Sequence, residues 1–68
     1  MAWKISDEVR KKQRDQIIEA ASDLFAQKGF ESTSIWDIAE RVQLSDAQVL
    51  RYFGMKKSNI LIEIFERS

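Results

Sequence analysis

Residues 33–53 read TSIWDIAERVQLSDAQVLRYF, and they hold two helical patterns separated by a three-residue break. Ile35, Ile38, Ala39 and Val42 stand at i, i+3, i+4 and i+7, the spacing of one buried stripe on a helix. Thr33 and Ser34 are alternative N-caps for it, so the pattern predicts a short helix over about 34–42. Ser45 then stands three residues before Gln48, a capping box in which the serine and glutamine side chains satisfy each other's backbone amides. Leu44 and Val49 occupy the two ends of a hydrophobic staple around it. A second helix is expected over 46–53, stopping at Gly54. Two short helices joined by Gln43, Leu44 and Ser45 form a helix-turn-helix pattern, whose first helix would cross a DNA backbone while the second enters the major groove. Spacing alone does not assign that role, because three-helix packings that bind nothing share it.

Outward from this pair, the chain stays helical on both sides. Ser6 followed by Asp7 and Glu8 reads as an N-cap with two carboxylates in the first turn, where the helix dipole favours negative charge. Ile17, Ala21, Leu24 and Phe25 continue at helical spacing to Lys28-Gly29, a basic last turn and a glycine able to stop the helix in the left-handed conformation. The first helix is therefore expected over 7–28, with Phe30 folding back onto its end. Beyond Gly54, residues 56–67 carry Ile60, Leu61, Ile64 and Phe65 at helical spacing and predict another helix. Ile60, Leu61, Ile62, Ile64 and Phe65 cannot all face so small a core, so Ile62, with Phe65 after it, is expected to lie exposed as a modest apolar patch. The fold class is all-α, a small three- to four-helix domain. With no internal repeat, low-complexity tract or linker, residues 1–68 read as a single domain.

Composition narrows the function. The 68 residues include no cysteine, histidine or proline, which excludes disulfides, thiolate and imidazole metal sites, and cysteine or histidine catalysis. Carboxylates such as Asp37 and Glu40 have no nucleophile or pocket-forming glycines beside them, so an enzyme is not expected, nor a cofactor or a small-molecule site. No signal-peptide apolar run follows the start and no stretch approaches the length of a membrane span, which predicts a cytoplasmic chain without membrane contact. The 11 basic and 11 acidic residues cancel to a net charge of zero, although attraction to phosphates supplies most non-specific DNA affinity. DNA binding must therefore rest on local charge. Arg10, Lys11, Lys12 and Arg14 form one basic cluster, and Arg51, Lys56 and Lys57 another. Each is equally compatible with an ordinary solvated face.

The run RDQIIEAASDLFAQKGFESTSIWDIAERVQLSDAQVLRYFGMKKSNIL, residues 14–61, resembles the amino-terminal domain of the TetR family of transcriptional regulators. The matched elements are Ile17-Ile18, Ala20-Ala21, Leu24-Phe25, Gly29-Phe30, Thr33-Ser34, Asp37-Ile38-Ala39, Leu44-Ser45 and Tyr52-Phe53 followed by Lys56. The resemblance implies a homeodomain-like four-helix head whose second and third helices contact double-stranded operator DNA. It also implies a larger effector-binding and dimerising domain after the head, which these residues do not include. The full-length parent would be a homodimer, the present chain monomeric or weakly associating, and the regulator a repressor. Three positions depart from the family pattern. Gln43 replaces the usual turn glycine, and must take a left-handed conformation at about 1–2 kcal/mol or turn differently. Leu50 replaces a phosphate-contacting tyrosine, and Met55 a serine or asparagine that caps the fourth helix.

The residues expected at DNA are Thr33, Ser34, Trp36, Ala47, Gln48, Arg51, Tyr52 and Lys56. Thr33, Ser34, Tyr52 and Lys56 match positions the family uses for backbone contacts, which set register without carrying sequence information. Trp36, where the family is often basic, either packs against sugar and thymine methyl groups or packs on the first helix. Gln48 either reads an adenine edge or serves only its capping box. Arg51 pairs with guanine or neutralises a phosphate. The competing reading is a helical interaction or structural module that keeps this fold with little DNA affinity.

Overall fold

The computed structural model describes residues 7–67, which form four helices: α1 (Asp7–Lys28), α2 (Ile35–Val42), α3 (Asp46–Tyr52) and α4 (Lys57–Arg67). The expected cap at Ser6 lies outside the described residues. No strand is present among them, and no helix is long and apolar enough to cross a membrane.

Each helix end carries the local chemistry that stops it. α1 closes on Gly29 at φ 89°, whose N–H donates to the Phe25 carbonyl at 2.8 Å. Phe30 turns back so that its ring meets Phe25 edge-on at 5.1 Å. Of the two candidate caps before α2, Ser34 takes the role: its hydroxyl accepts from the Asp37 N–H at 3.1 Å, and the Asp37 carboxylate accepts from the Ser34 N–H at 3.0 Å. Sequence reading did not find this second capping box. α3 opens as expected, with the Ser45 hydroxyl accepting from the Gln48 N–H at 3.2 Å and Gln48 Oε1 from the Ser45 N–H at 3.0 Å.

The break between α2 and α3 is a Schellman stop. The Leu44 N–H donates to the Ala39 carbonyl at 2.9 Å and the Gln43 N–H to the Glu40 carbonyl at 3.3 Å, the two bonds that satisfy a helix's last carbonyls. That geometry needs a left-handed residue between them, and Gln43 supplies it at φ 61° and ψ 42°. α3 stops in a similar way, with Gly54 at φ 64° and the Met55 N–H on the Leu50 carbonyl at 2.8 Å. Met55, at φ 66°, is itself left-handed, so the position where the family has a cap residue serves the turn, and α4 begins two residues later.

One core joins the four helices. α1 contributes Ile17, Ile18, Ala21 and Leu24, α2 contributes Ile38 and Ala39, and Val49, Phe53 and Ile60 complete it. Phe25, Ile35, Val42, Leu44, Tyr52 and Ile64 pack half-buried around it. α1 lies against α2 and α4, and α2 against α3. Truncating a fully buried isoleucine in such a core costs about 2–5 kcal/mol, comparable with everything a domain this small has to lose. Ile62 and Phe65 remain exposed on α4, at 53% and 69%, as the crowding of apolar residues there implied.

Gln43 is exposed, so replacing it removes little packing while the left-handed backbone remains. Gln43→Gly is expected to raise stability by about 0.5–1 kcal/mol, the relieved strain less the added freedom of glycine in the unfolded chain. A lower urea midpoint for the variant would show that the turn is unstrained.

Candidate nucleic-acid interface

α3 turns one face to the core and the opposite face to solvent. Val49 is fully buried, which fixes the helix's rotation, and Ala47, Gln48 and Arg51 consequently stand exposed. Gln48 and Arg51 are three residues apart and so share one helical face. Trp36 on α2 leaves 58% of its surface exposed. Ser34 and Lys56 are also exposed.

Two of the expected residues turn their hydroxyls inward. Thr33 is fully buried, and its hydroxyl donates inward to the Gly29 carbonyl at 2.8 Å and faces the Leu24 carbonyl at 3.3 Å. It secures the loop after α1 and cannot reach DNA through its side chain. Tyr52 is half-buried, with its hydroxyl donating to Gln13 Oε1. That bond ties the end of α3 to α1.

The basic clusters also divide. Lys57 Nζ donates to the Phe30 and Thr33 carbonyls at 2.7 and 2.5 Å and lies 4.3 Å from the Phe30 ring centre. Arg14 forms a two-pronged pair with Glu63, both bonds at 2.8 Å, and donates to the Tyr52 carbonyl at 2.7 Å. Its guanidinium sits 4.7 Å from the Phe53 ring centre. These two cations are structural, whereas Arg10, Lys11, Lys12, Arg51 and Lys56 remain exposed. The Arg14 hydrogen bonds hold the Glu63 carboxyl below its usual range, and the same bonds raise the Arg14 pKa. The Ser34 N–H, and after it the Lys28 ammonium 3.0 Å away, hold the Asp37 carboxyl low as well.

Gln48, Arg51 and Tyr52 meet Arg10 and Gln13 of α1 around a cleft of about 360 Å³. Arg10 was legible as part of a basic run, but its face was not, and Gln13 carried no sequence signal.

The chain matches the family described as bacterial regulatory proteins, tetR family, over residues 17–64. It is 50% identical over 40 residues to an HTH-type transcriptional repressor of Mycobacterium tuberculosis, covering 59% of this chain and 21% of the relative. It is 38% identical over 55 residues to the biofilm-operon HTH-type negative transcriptional regulator IcaR of Staphylococcus aureus, covering 81% of this chain and 27% of that protein. The chain thus spans about a fifth to a quarter of the length of these relatives. No solved structure matches it significantly.

Asp37 and Glu63 titrate lower in the folded chain than in the unfolded one. Their contribution to stability is therefore fully present above their ordinary values of 3.8 and 4.5, and is lost as pH falls below these. Glu63→Gln is expected to be less stable than the wild type near pH 7 and to lose less on acidification to about pH 3. Urea unfolding followed by circular dichroism at several pH values checks this, and parallel acid losses in both proteins would remove Glu63 from the pH dependence.

Proposed function

Because this chain belongs to the TetR family of bacterial regulatory proteins, we propose that it is the operator-reading head of a repressor, binding double-stranded DNA sequence-specifically. The observation that carries this reading is the α3 face. A capped helix is pinned by a fully buried Val49 and presents Ala47, Gln48 and Arg51 outward. Helix-turn-helix proteins place the N-terminal residues of such a helix against base edges. In this reading Gln48 reads an adenine, Ala47 meets a thymine methyl, and Arg51 neutralises a phosphate. Ser34 and Lys56 hold the backbone, and the exposed Trp36 ring lies against sugar and thymine methyl groups. Tyr52 steadies α3 through Gln13. Residues 1–68 act as one head, and two heads of a dimeric full-length regulator meet two half-sites.

A second reading is an interaction module with the same fold and little DNA affinity. Zero net charge and the exposure of Ile62 and Phe65 favour it. A fluorescence-anisotropy titration with duplex DNA at two salt concentrations separates the two, since affinity that falls steeply with salt counts phosphate contacts.

Lys56→Ala is expected to weaken binding to all duplexes alike and to lower the salt slope by about one. Gln48→Glu retains the acceptor that the capping box needs while removing the amide donor, so it should keep stability and move preference at one base pair from adenine toward cytosine by roughly 1–3 kcal/mol. Competition against single-base operator variants measures the difference. A uniform loss across all of them would take Gln48 out of base reading.

A further inference from the structure

The N-terminal stretch of α1, residues 7–16, contributes no side chain to the core, whose first member is Ile17. About 15 Å of helix therefore extends beyond the buried core. It is nevertheless anchored. The Tyr52 hydroxyl donates to Gln13 Oε1, and Arg14 Nη1 donates to the Tyr52 carbonyl at 2.7 Å, so two consecutive α1 residues hold the last residue of α3 by side chain and backbone together. That grip lays the α1 extension beside the recognition helix and creates the cleft lined by Arg10, Gln13, Gln48, Arg51 and Tyr52.

The composition of this cleft is unbalanced. It holds two guanidiniums, two carboxamides and a phenol, and no carboxylate lines it. Asp7 and Glu8 precede Arg10 in the first turn but are not among the lining residues. Two like charges facing a shared space without a counter-charge repel each other, and a tetrahedral oxyanion relieves that repulsion while accepting paired N–H donors from each guanidinium. The ligand that brings such groups to the outer face of α3 is the duplex backbone.

We propose that this cleft seats one phosphodiester of the DNA backbone between Arg10 of α1 and Arg51 of α3, making the α1 extension a third element of the interface. The proposal rests on the DNA-binding reading above. It gives the α1 extension a purpose, and it turns Gln13 into a positioning residue that holds the wall of the phosphate site.

Arg10→Gln tests it. Arg10 is exposed and outside the core, so the variant is expected to keep the wild-type far-ultraviolet dichroism. In anisotropy titrations against random-sequence duplex, the salt slope should fall by about 0.9, the value of one lost phosphate contact, with base preference unchanged. Wild-type binding with an equal slope for Arg10→Gln overturns this assignment and leaves the DNA reading standing. No duplex binding by the wild type overturns both. A parallel NMR titration with inorganic phosphate at fixed ionic strength follows the side-chain amides of Gln13 and Gln48. If these respond to millimolar phosphate and not to duplex, the cleft is a free-anion site and the backbone assignment is wrong.

Discussion

The arrangement of this domain depends on how one arginine is placed. Arg14 reaches from α1 to a bidentate pair with Glu63 on α4, to the Tyr52 carbonyl at the end of α3, and across the face of Phe53. The domain has one small hydrophobic core, and apolar contact is non-directional. Burial of Val49 turns one face of α3 to the core, and a planar guanidinium with donors in a rigid fork adds a directional tie among α1, α3 and α4. An exposed ion pair is worth about 0.2–1 kcal/mol, and stranding one partner of a buried pair costs about 3–5. Arg14 and Glu63, with 34% and 23% of their side chains exposed, lie between those limits. The pair adds less to total stability than the core does, and its main effect is geometric: it holds the Arg14 guanidinium where it can tie the end of α3 to α1 and α4. Glu63 in turn lies 4.0 Å from Arg67, which pairs with Asp15 at 2.7 Å, so the link between α1 and α4 is doubled.

Helix boundaries were legible because each is written in adjacent residues. Gly29, the Ser45–Gln48 box and Gly54 act within a few positions of themselves, and a local pattern is sufficient to find them. Gln43 was legible as a departure: the structure keeps the left-handed turn and accepts the strain, because a Schellman stop also places Leu44 on the core. What could not be read were the partners of Arg14, Lys57 and Tyr52. Their hydrogen bonds join residues 49, 27 and 39 positions apart, and nothing in a basic or hydroxyl side chain announces whether it will face inward. Thr33 and Ser34 show the same limit at close range. Both suit a helix cap, and only the packing of the loop against Leu24 decides that Thr33 is the buried one.

These inward commitments change how the charge of the molecule should be understood. A net charge of zero looks unfavourable for a nucleic-acid partner, but net charge matters less than which charges remain unopposed. Glu63, Asp37 and Asp15 are engaged with Arg14, Lys28 and Arg67, and Arg41 lies 3.7 Å from Asp23. Pairing of this kind consumes acidic and basic groups together along the α1–α2 and α1–α4 seams. Beside α3, by contrast, Arg10 and Arg51 share a cleft that no carboxylate lines. Local field, not total charge, governs attraction over distances shorter than the screening length of roughly 8–10 Å.

In the proposed function, Gln48 brings structural and recognition demands onto one side chain. Its Oε1 already accepts the Ser45 N–H, and reading adenine requires the same oxygen to accept from the base N6 while Nε2 donates to N7. These demands compete only if the oxygen has a single site to offer. A carboxamide oxygen has two lone pairs, so one can hold the cap while the other meets the base, and Nε2 stays free throughout. The cap then does more than close the helix end. It holds the amide in one orientation before DNA arrives, removing rotamer freedom that binding would otherwise have to quench at about 0.5–1.5 kcal/mol for a flexible side chain. On that account the residue best suited to read a base here is the one already fixed by the helix it belongs to.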